Sequence, residues 1–405
     1  MSGRPKIFIS AGEASGEHYG TLLIPALRAL APEAEFFGLG GQRMEALGFR
    51  RVVRAEDVAV MGITEVIRHM PRIYGEYRRL KASIQTEKPD VAVLIDFPDV
   101  NLSLAKHLKR AGVPVVYFVS PQLWAWKKYR IREVQKYVDR MVVIFPFEER
   151  FYLDHGVQAT FVGHPLADLA RTTVSREEFA REYGAGSSNH LDPAKPWIGL
   201  LPGSRLKEAR LNLPEMLKAA SLLERQGDYE FLLPLAPTLT VEQRAEVQAM
   251  LPASPRVTVT HDARATLQHA RASIVASGTA TVEAALIGNP FVVVYRVSPL
   301  SYAVAKRVVD VPHVAMVNLI AGRRAVPELI QGDFTAENVV SHLRPLLEEG
   351  QARESMLGSL REVSGMLKAV DIGGGESAID RTARITMEAL RAGEARRENQ
   401  SREES

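Results

Sequence analysis

Three short segments carry side chains suited to polar group transfer. Ile95-Asp96-Phe97-Pro98-Asp99-Val100-Asn101 places two carboxylates just past an apolar, β-branched run. A carboxylate at the carboxyl end of a buried strand can serve as general base toward an alcohol, above all where partial burial raises its pKa. Asp96 is the candidate for that role, while Asp99 and Asn101 read as caps of a helix beginning near Leu102. The other two segments are loops: Ser10-Ala11-Gly12-Glu13-Ala14-Ser15-Gly16-Glu17 after Ile7-Phe8-Ile9, and Pro202-Gly203-Ser204-Arg205 after Ile198-Gly199-Leu200-Leu201. Helix N-termini at strand ends offer free N–H groups to anions, so both loops are candidate phosphate cradles. Arg205 suits the neutralisation of a leaving pyrophosphate, or is a surface arginine.

Ser277-Gly278-Thr279-Ala280-Thr281-Val282-Glu283 has the same design. Small residues let a ligand approach the backbone, a helix N-terminus can hold a diphosphate, and a carboxylate in the first turn or so can accept bonds from both ribose hydroxyls. An N-capped helix with an acidic first turn is the alternative. Trp124 and Trp126 in Ser120-Pro121-Gln122-Leu123-Trp124-Ala125-Trp126-Lys127 either line a sugar or acyl pocket or belong to a packed loop with a basic rim. No Walker lysine pattern is present, and the spacing near Gly12 is not that of a dinucleotide fingerprint; both argue against an ATPase or a nicotinamide enzyme.

Such loops need parallel strands to position them. Short apolar runs at Lys6 to Ser10, Ala34 to Leu39, Val91 to Ile95, Val115 to Val119, Met141 to Phe145 and Ala159 to Val162 alternate with helical stretches. The alternation pauses at Asp192-Pro193-Ala194-Lys195-Pro196, read as a linker. It restarts with strands at Trp197 to Leu201, Glu230 to Leu233, Val257 to Thr260, Ser273 to Ala276 and Phe291 to Tyr295. The expected fold is α/β: two Rossmann-like, doubly wound parallel-sheet domains facing a cleft, with a helical C-terminal segment. The boundaries expected are 1–190, 191–390 and a disordered charged tail over 391–405. The region from Thr335 to Leu390 is expected to dock on the first domain or on a second subunit, as in a homodimer.

Composition narrows the chemistry. There are no cysteines among 405 residues, which removes disulfides, thiolate catalysis and cysteine-bound zinc. Net charge is +3, which does not by itself imply nucleic-acid binding, since that usually needs a clustered stripe of Lys and Arg. The apolar runs are strand-sized and no long apolar segment follows Lys6, so a cytoplasmic location is expected.

Taken together, the motifs resemble those of the lipid-A-disaccharide synthases, glycosyltransferases of the GT-B type. They run in order: Ala11-Gly12-Glu13-Ala14-Ser15-Gly16, Ala59-Val60-Met61-Gly62-Ile63, Ile95-Asp96-Phe97-Pro98-Asp99, Ser120-Pro121 with Trp124-Ala125-Trp126, Phe161-Val162-Gly163-His164, Leu201-Pro202-Gly203-Ser204-Arg205, Ser277-Gly278-Thr279-Ala280 and Asn318-Leu319-Ile320-Ala321-Gly322-Arg323. The resemblance implies inverting transfer of 2,3-diacylglucosamine from its UDP derivative to 2,3-diacylglucosamine 1-phosphate, giving a β-1,6 bond and UDP, with no cofactor and no metal. It implies Asp96 as base, with Glu13 second, and a loop of Gly12, Ser15 and Gly16 facing the acceptor. Arg205, Ser277, Gly278, Thr279, Glu283 and Asn318 are implied at the UDP site. A UDP-N-acetylglucosamine 2-epimerase or hydrolase of the same fold is the nearest alternative, and a non-catalytic nucleotide-sugar-binding protein the next.

The resemblance also implies peripheral attachment to the cytoplasmic face of a Gram-negative inner membrane. The residues offer separate support. Val66, Met70, Ile73, Tyr77, Leu80 and Ile84 recur near helical spacing, Ile67 widens the stripe, and Arg68, Arg72, Arg78, Arg79 and Lys81 supply positive charge. Val66, Ile67, Met70 and Ile73 are the expected acyl or membrane contacts; the alternative is a core-facing helix. Pro71 is expected to divide the stretch into two pieces.

Overall fold

The computed structural model describes residues 4–58, 63–126, 128–169, 172–184, 191–298, 302, 311–369 and 375–403, with backbone only for 14, 58, 63–71 and 400–403. It divides into two compact units, one formed by Met1–Asp168 with Leu367–Ser405 and the other by Leu169–Met366. The first crossing, at Asp168/Leu169, lies ahead of the Asp192–Pro196 segment, and the second, at Met366/Leu367, ahead of residue 390. Arg176 explains the first: its guanidinium lies 3.7 Å over the Trp197 ring and donates to Pro193 O and Lys195 O. Phe179 packs with Leu191, Trp197 and Leu232. The Asp192–Pro196 segment is therefore strapped to the second unit rather than linking two.

Among the described residues the first unit holds a parallel sheet of seven strands: β1 (Lys6–Ala11), β2 (Glu35–Gly40), β3 (Arg50–Arg54), β4 (Val91–Ile95), β5 (Val115–Phe118), β6 (Arg140–Val143) and β7 (Ala159–Phe161), in the order β3-β2-β1-β4-β5-β6-β7. Alternation along each strand feeds two cores. Ile7, Ile9, Val91, Val93 and Ile95 face one helical layer, while Phe8, Ala92, Leu94, Val115 and Tyr117 face the other. Burial on both faces is why β4 and β5 read as unbroken apolar runs.

The long helix Ala378–Glu403 closes the first of these cores. Ile379, Ala383, Met387 and Leu390 join Leu23 and Leu27 of the helix Ala14–Leu30. Of the region from Thr335 to Leu390, the part from Leu367 onward thus belongs to the first unit, whereas Thr335 to Met366 stays with the second. The tail beyond Gly393 is helical through Glu403, against the expected disorder. Arg396 and Arg397 hold it, at 3.6 Å from Asp139 and 3.1 Å from Asp90. Ion pairs substitute here for the apolar face that ends near Leu390. One helix, Ile63–Glu87, also runs through Pro71 instead of breaking there. A proline inside a helix deletes one hydrogen bond, and the turns on either side can persist.

The second unit holds β8 (Trp197–Leu201), β9 (Glu230–Pro234), β10 (Val257–Thr260), β11 (Ala272–Ala276), β12 (Phe291–Tyr295) and β13 (Glu328–Ile330), all parallel, in the order β10-β9-β8-β11-β12-β13. Each sheet reverses its strand order once near its middle, between β1 and β4 and between β8 and β11. In open α/β sheets ligands bind at the carboxyl ends of strands flanking such a reversal. No helix among the described residues is long and apolar enough to cross a membrane.

Candidate functional site

The β1/β4 reversal brings the two expected carboxylates together. Ala11 pairs with Ile95 as the last register of these strands, so Gly12-Glu13 and Asp96-Phe97 emerge side by side. Gly12 is buried, and a side chain there would run into the Phe97 ring. Gly16 sits in the first helical turn, where a Cβ would lie 3.4 Å from Ile95 O. Glu13 is the N-cap of Ala14–Leu30 but makes no side-chain cap bond, so its carboxylate is not spent on the helix. Ser15 is exposed on the first turn.

Asp96 and Phe97 both adopt left-handed backbone, with φ of 48° and 49°. Such conformations cost non-glycine residues about 1–3 kcal/mol each and persist only where the surroundings impose them. The surroundings are identifiable. Asn101 Nδ2 donates to Asp96 O at 2.7 Å and to Ile95 O at 3.1 Å, and the Tyr117 hydroxyl donates to Asp96 O at 2.7 Å. Ser10 Oγ donates to Asn101 Oδ1 at 2.6 Å, tying β1 to the same amide. Asn101 is thus a clasp on the turn and not a helix cap. Asp99 likewise does not cap: it receives a bond of 2.6 Å from the buried Arg130. The turn leaves the Asp96 side chain mostly buried. Burial, reinforced by the Glu13 charge and opposed by the Phe97 N–H, pushes its carboxyl up to about 6.

The loop after β5 leans on the same region. Arg130 binds both Asp99 and Pro98 O, and Val119 turns the chain with φ of 62°. Glu148, buried and without any signal in the sequence, gathers this loop. Its carboxylate accepts from Ser120 Oγ at 2.7 Å, Trp124 Nε1 at 3.1 Å and Phe145 N at 3.2 Å. Trp124 also packs edge-on against Phe147 at 5.0 Å, so it is a packed member of the loop, whereas Trp126 is partly exposed. Burial raises the Glu148 carboxyl to about 7. Ionisation strengthens the indole bond, so Trp124 emission should shift with a midpoint near pH 7. The shift should vanish in Glu148→Gln, with Trp124→Phe subtracting the other tryptophans. A pH-independent spectrum would show that Glu148 does not titrate near pH 7.

The β8/β11 reversal places Pro202–Arg205 beside Ser277–Thr279, since Leu201 pairs with Val275. Gly203 has φ of 118°, and the loop is held by Asn212 Nδ2 on Pro202 O and the Thr238 hydroxyl on Ser204 O. The amides of Ser204 and Arg205 donate to the Glu208 carboxylate at 3.0 and 3.3 Å, so these N–H groups are engaged within the loop and are not the free donors expected. Arg205 is about half exposed, with Nη1 3.7 Å from Glu208. Gly278, with φ of 149° and open space where a side chain would project, precedes Thr279 at the start of the helix Thr279–Ile287. Ser277 Oγ donates to Val314 O. Glu283, one turn in, is mostly buried; burial raises its pKa, and Arg264 at 3.8 Å opposes that.

Asn318 does not fit its expected role. It is fully buried, its amide donates to Val326 O and Glu328 Oε1, and its carbonyl accepts from Ala325 N and Val326 N. With those groups engaged, its side chain holds the turn before β13 and offers nothing to a nucleotide. Ile73 is half-buried on its helix. The side chains of Val66, Ile67 and Met70 lie outside the described residues, as do residues 59–62 and Lys127.

Comparison with known proteins bears on all of this. The family model "Lipid-A-disaccharide synthetase" matches residues 7–370. Lipid-A-disaccharide synthase of Acidobacterium capsulatum is 66% identical over 96% of this chain and 98% of its own length. The same-named protein of Koribacter versatilis is 53% identical over 94% and 98%, and that of Myxococcus xanthus 42% identical over 97% and 100%. Among solved structures, the glycosyltransferase of kitacinnamycin has a TM-score of 0.61 at 14% identity, covering 96% of this chain and all of the other. The calicheamicin glycosyltransferase CalG4 has 0.58 at 15%, covering 96% and 99%. UDP-GlcNAc 2-epimerase from Neisseria meningitidis has 0.57 at 13%, covering 95% and 98%. These structural likenesses concern the GT-B-like fold alone. The family match and the identities, extending over nearly the whole chain, place this protein in the lipid-A-disaccharide synthase family.

Proposed function

We propose that the two strand-reversal sites divide one inverting glycosyl transfer, the acceptor belonging to the first unit and UDP to the second. The observation carrying the chemistry is Asp96: a mostly buried carboxyl raised to about 6, on a strained turn beside Glu13. Near neutral pH it is ionised yet basic enough to accept a proton from an alcohol. The acceptor is 2,3-diacylglucosamine 1-phosphate. Asp96 takes the proton of its 6-hydroxyl as O6 bonds to the anomeric carbon of UDP-2,3-diacylglucosamine. The bond from that carbon to the diphosphate breaks, its electron pair leaves with UDP, and the configuration inverts to the β-1,6 linkage. Burial keeps the Asp96 pKa high and the Glu13 charge adds to it. The loop of Gly12, Ser15 and Gly16 faces the acceptor. No cofactor or metal takes part.

On the donor side, Arg205 and the N-terminus of Thr279–Ile287, with Ser277 and Gly278, meet charge growing on the diphosphate. Glu283 accepts the ribose hydroxyls. Arg205→Ala should therefore lower kcat/KM for the UDP-sugar by about 10²-fold while the KM for the acceptor stays near wild type. Equal losses toward both substrates would remove Arg205 from the UDP site.

The overall reading is tested by supplying both acyl sugars. Disaccharide 1-phosphate and UDP in equal amounts support it, whereas free diacylglucosamine or its 2-epimer would point to a hydrolase or epimerase. Peripheral membrane attachment rests on the apolar and basic stretch over 66–84. Serine at Val66, Ile67, Met70 and Ile73 should reduce co-sedimentation with anionic vesicles without lowering the melting temperature; unchanged sedimentation would refute it.

A further inference from the structure

The short helix Ala263–His269 turns one side toward the chain entering the second unit. Gln268 exchanges two bonds of 3.1 Å with the Thr172 backbone, and His269 Nε2 lies 3.0 Å from Val174 O. Arg264, four residues before Gln268, joins this row by donating from Nη2 to Leu169 O at 3.3 Å. Its other terminal nitrogen, Nη1, points elsewhere and stands 3.8 Å from Glu283 Oε1.

That distance is too long for a hydrogen bond and short enough for strong attraction. Among the described residues the Glu283 carboxylate accepts no hydrogen bond, although it is mostly buried and Asp262 adds like charge. Burial disfavours the charged form of such a carboxylate and a cation beside it favours that form, the one that offers acceptors to both hydroxyls of a vicinal diol. Arg264 supplies the cation and leaves the acceptor positions open. Its anchor on a backbone carbonyl keeps the guanidinium from swinging into solvent.

We propose that Arg264 is a positioning residue of the nucleotide site, held by Leu169 and fixing the Glu283 carboxylate for the ribose 2′- and 3′-hydroxyls. The proposal rests on the reading of Glu283 as the ribose ligand. It makes ribose recognition depend on a residue that itself touches no substrate.

Calorimetric binding of UDP and 2′-deoxy-UDP to the full-length wild type, Arg264→Gln and Arg264→Lys tests it. The wild type should prefer UDP by about tenfold or more, the scale of a hydrogen bond to a charged group. Arg264→Gln should lose about tenfold for UDP and far less for 2′-deoxy-UDP, so the preference collapses. Arg264→Lys, which keeps the charge and protects the fold, should recover part of it. Equal weakening of both ligands in Arg264→Gln, or an intact preference, would overturn the proposal. A wild type that does not distinguish the two would instead overturn the ribose reading itself, and the proposal with it.

Discussion

Asp96→Asn should abolish most turnover, lowering kcat by about 10²–10⁴-fold, with UDP affinity within about twofold of wild type. Asparagine preserves the size of the side chain and can still accept from Phe97 N–H, so the turn survives while the base is lost. The same substitution carries a stability signature whose sign follows from the raised pKa. The folded protein holds the Asp96 proton up to about 6, against an ordinary value of 3.8. The protonated form favours folding below about pH 4, and that contribution disappears as pH rises through 6. Above this window the wild type carries a desolvated charge that asparagine lacks. Asp96→Asn should thus melt higher than wild type at pH 8, by about 1–3 kcal/mol of stability, and the two should converge near pH 4. An inactive variant that is also less stable at pH 8 would mean that the turn had been damaged and that the kinetics say nothing about the base.

Asn101→Ala is the second large effect, and it acts through the backbone. One amide serves Ser10, Ile95 and Asp96, across a sequence separation of 91 residues in the first case. Truncation strands a buried hydroxyl and at least one carbonyl, at about 2–4 kcal/mol. It also leaves the left-handed pair Asp96-Phe97 held by Tyr117 alone among these side-chain donors. The carboxylate then samples positions away from the acceptor hydroxyl, and kcat should fall by about 10–100-fold well below the melting temperature, with UDP affinity unchanged. Denaturant titration and steady-state kinetics at a temperature where the variant is folded separate the two effects. Full activity in a folded Asn101→Ala would show that the clasp serves stability alone.

How far the chain could be read follows from where each signal resides. Val91–Ile95 and Phe291–Tyr295 were legible because strands buried on both faces are apolar throughout. Arg50–Arg54 and Glu328–Ile330 were not, because they lie at sheet edges, where charge and brevity are normal and the apolar run disappears. Asp96 and Glu13 were legible as carboxylates at strand ends, since that position has a chemical meaning before any tertiary contact is known. Asn101 was misread as a cap because local sequence shows its closeness to a helix start and hides its partners on β1 and β4. Asn318 and Glu328 form a self-contained clasp ten residues apart, which local pattern cannot distinguish from a ligand-binding pair. Glu148 left no trace at all: a glutamate in a first helical turn is ordinary until the fold buries it against Ser120 and Trp124.

The central claim is that Asp96 is the base and that burial, reinforced by the neighbouring Glu13 charge, keeps its pKa high. The pH dependence of kcat/KM for disaccharide formation, measured in the wild type and in Glu13→Gln, tests it most directly. The account predicts a rate rising with pH through an apparent pKa near 6 in the wild type, and a rising limb displaced to lower pH in Glu13→Gln with turnover retained. A limb that stays in place, or a Glu13→Gln enzyme that has lost turnover altogether, would contradict it.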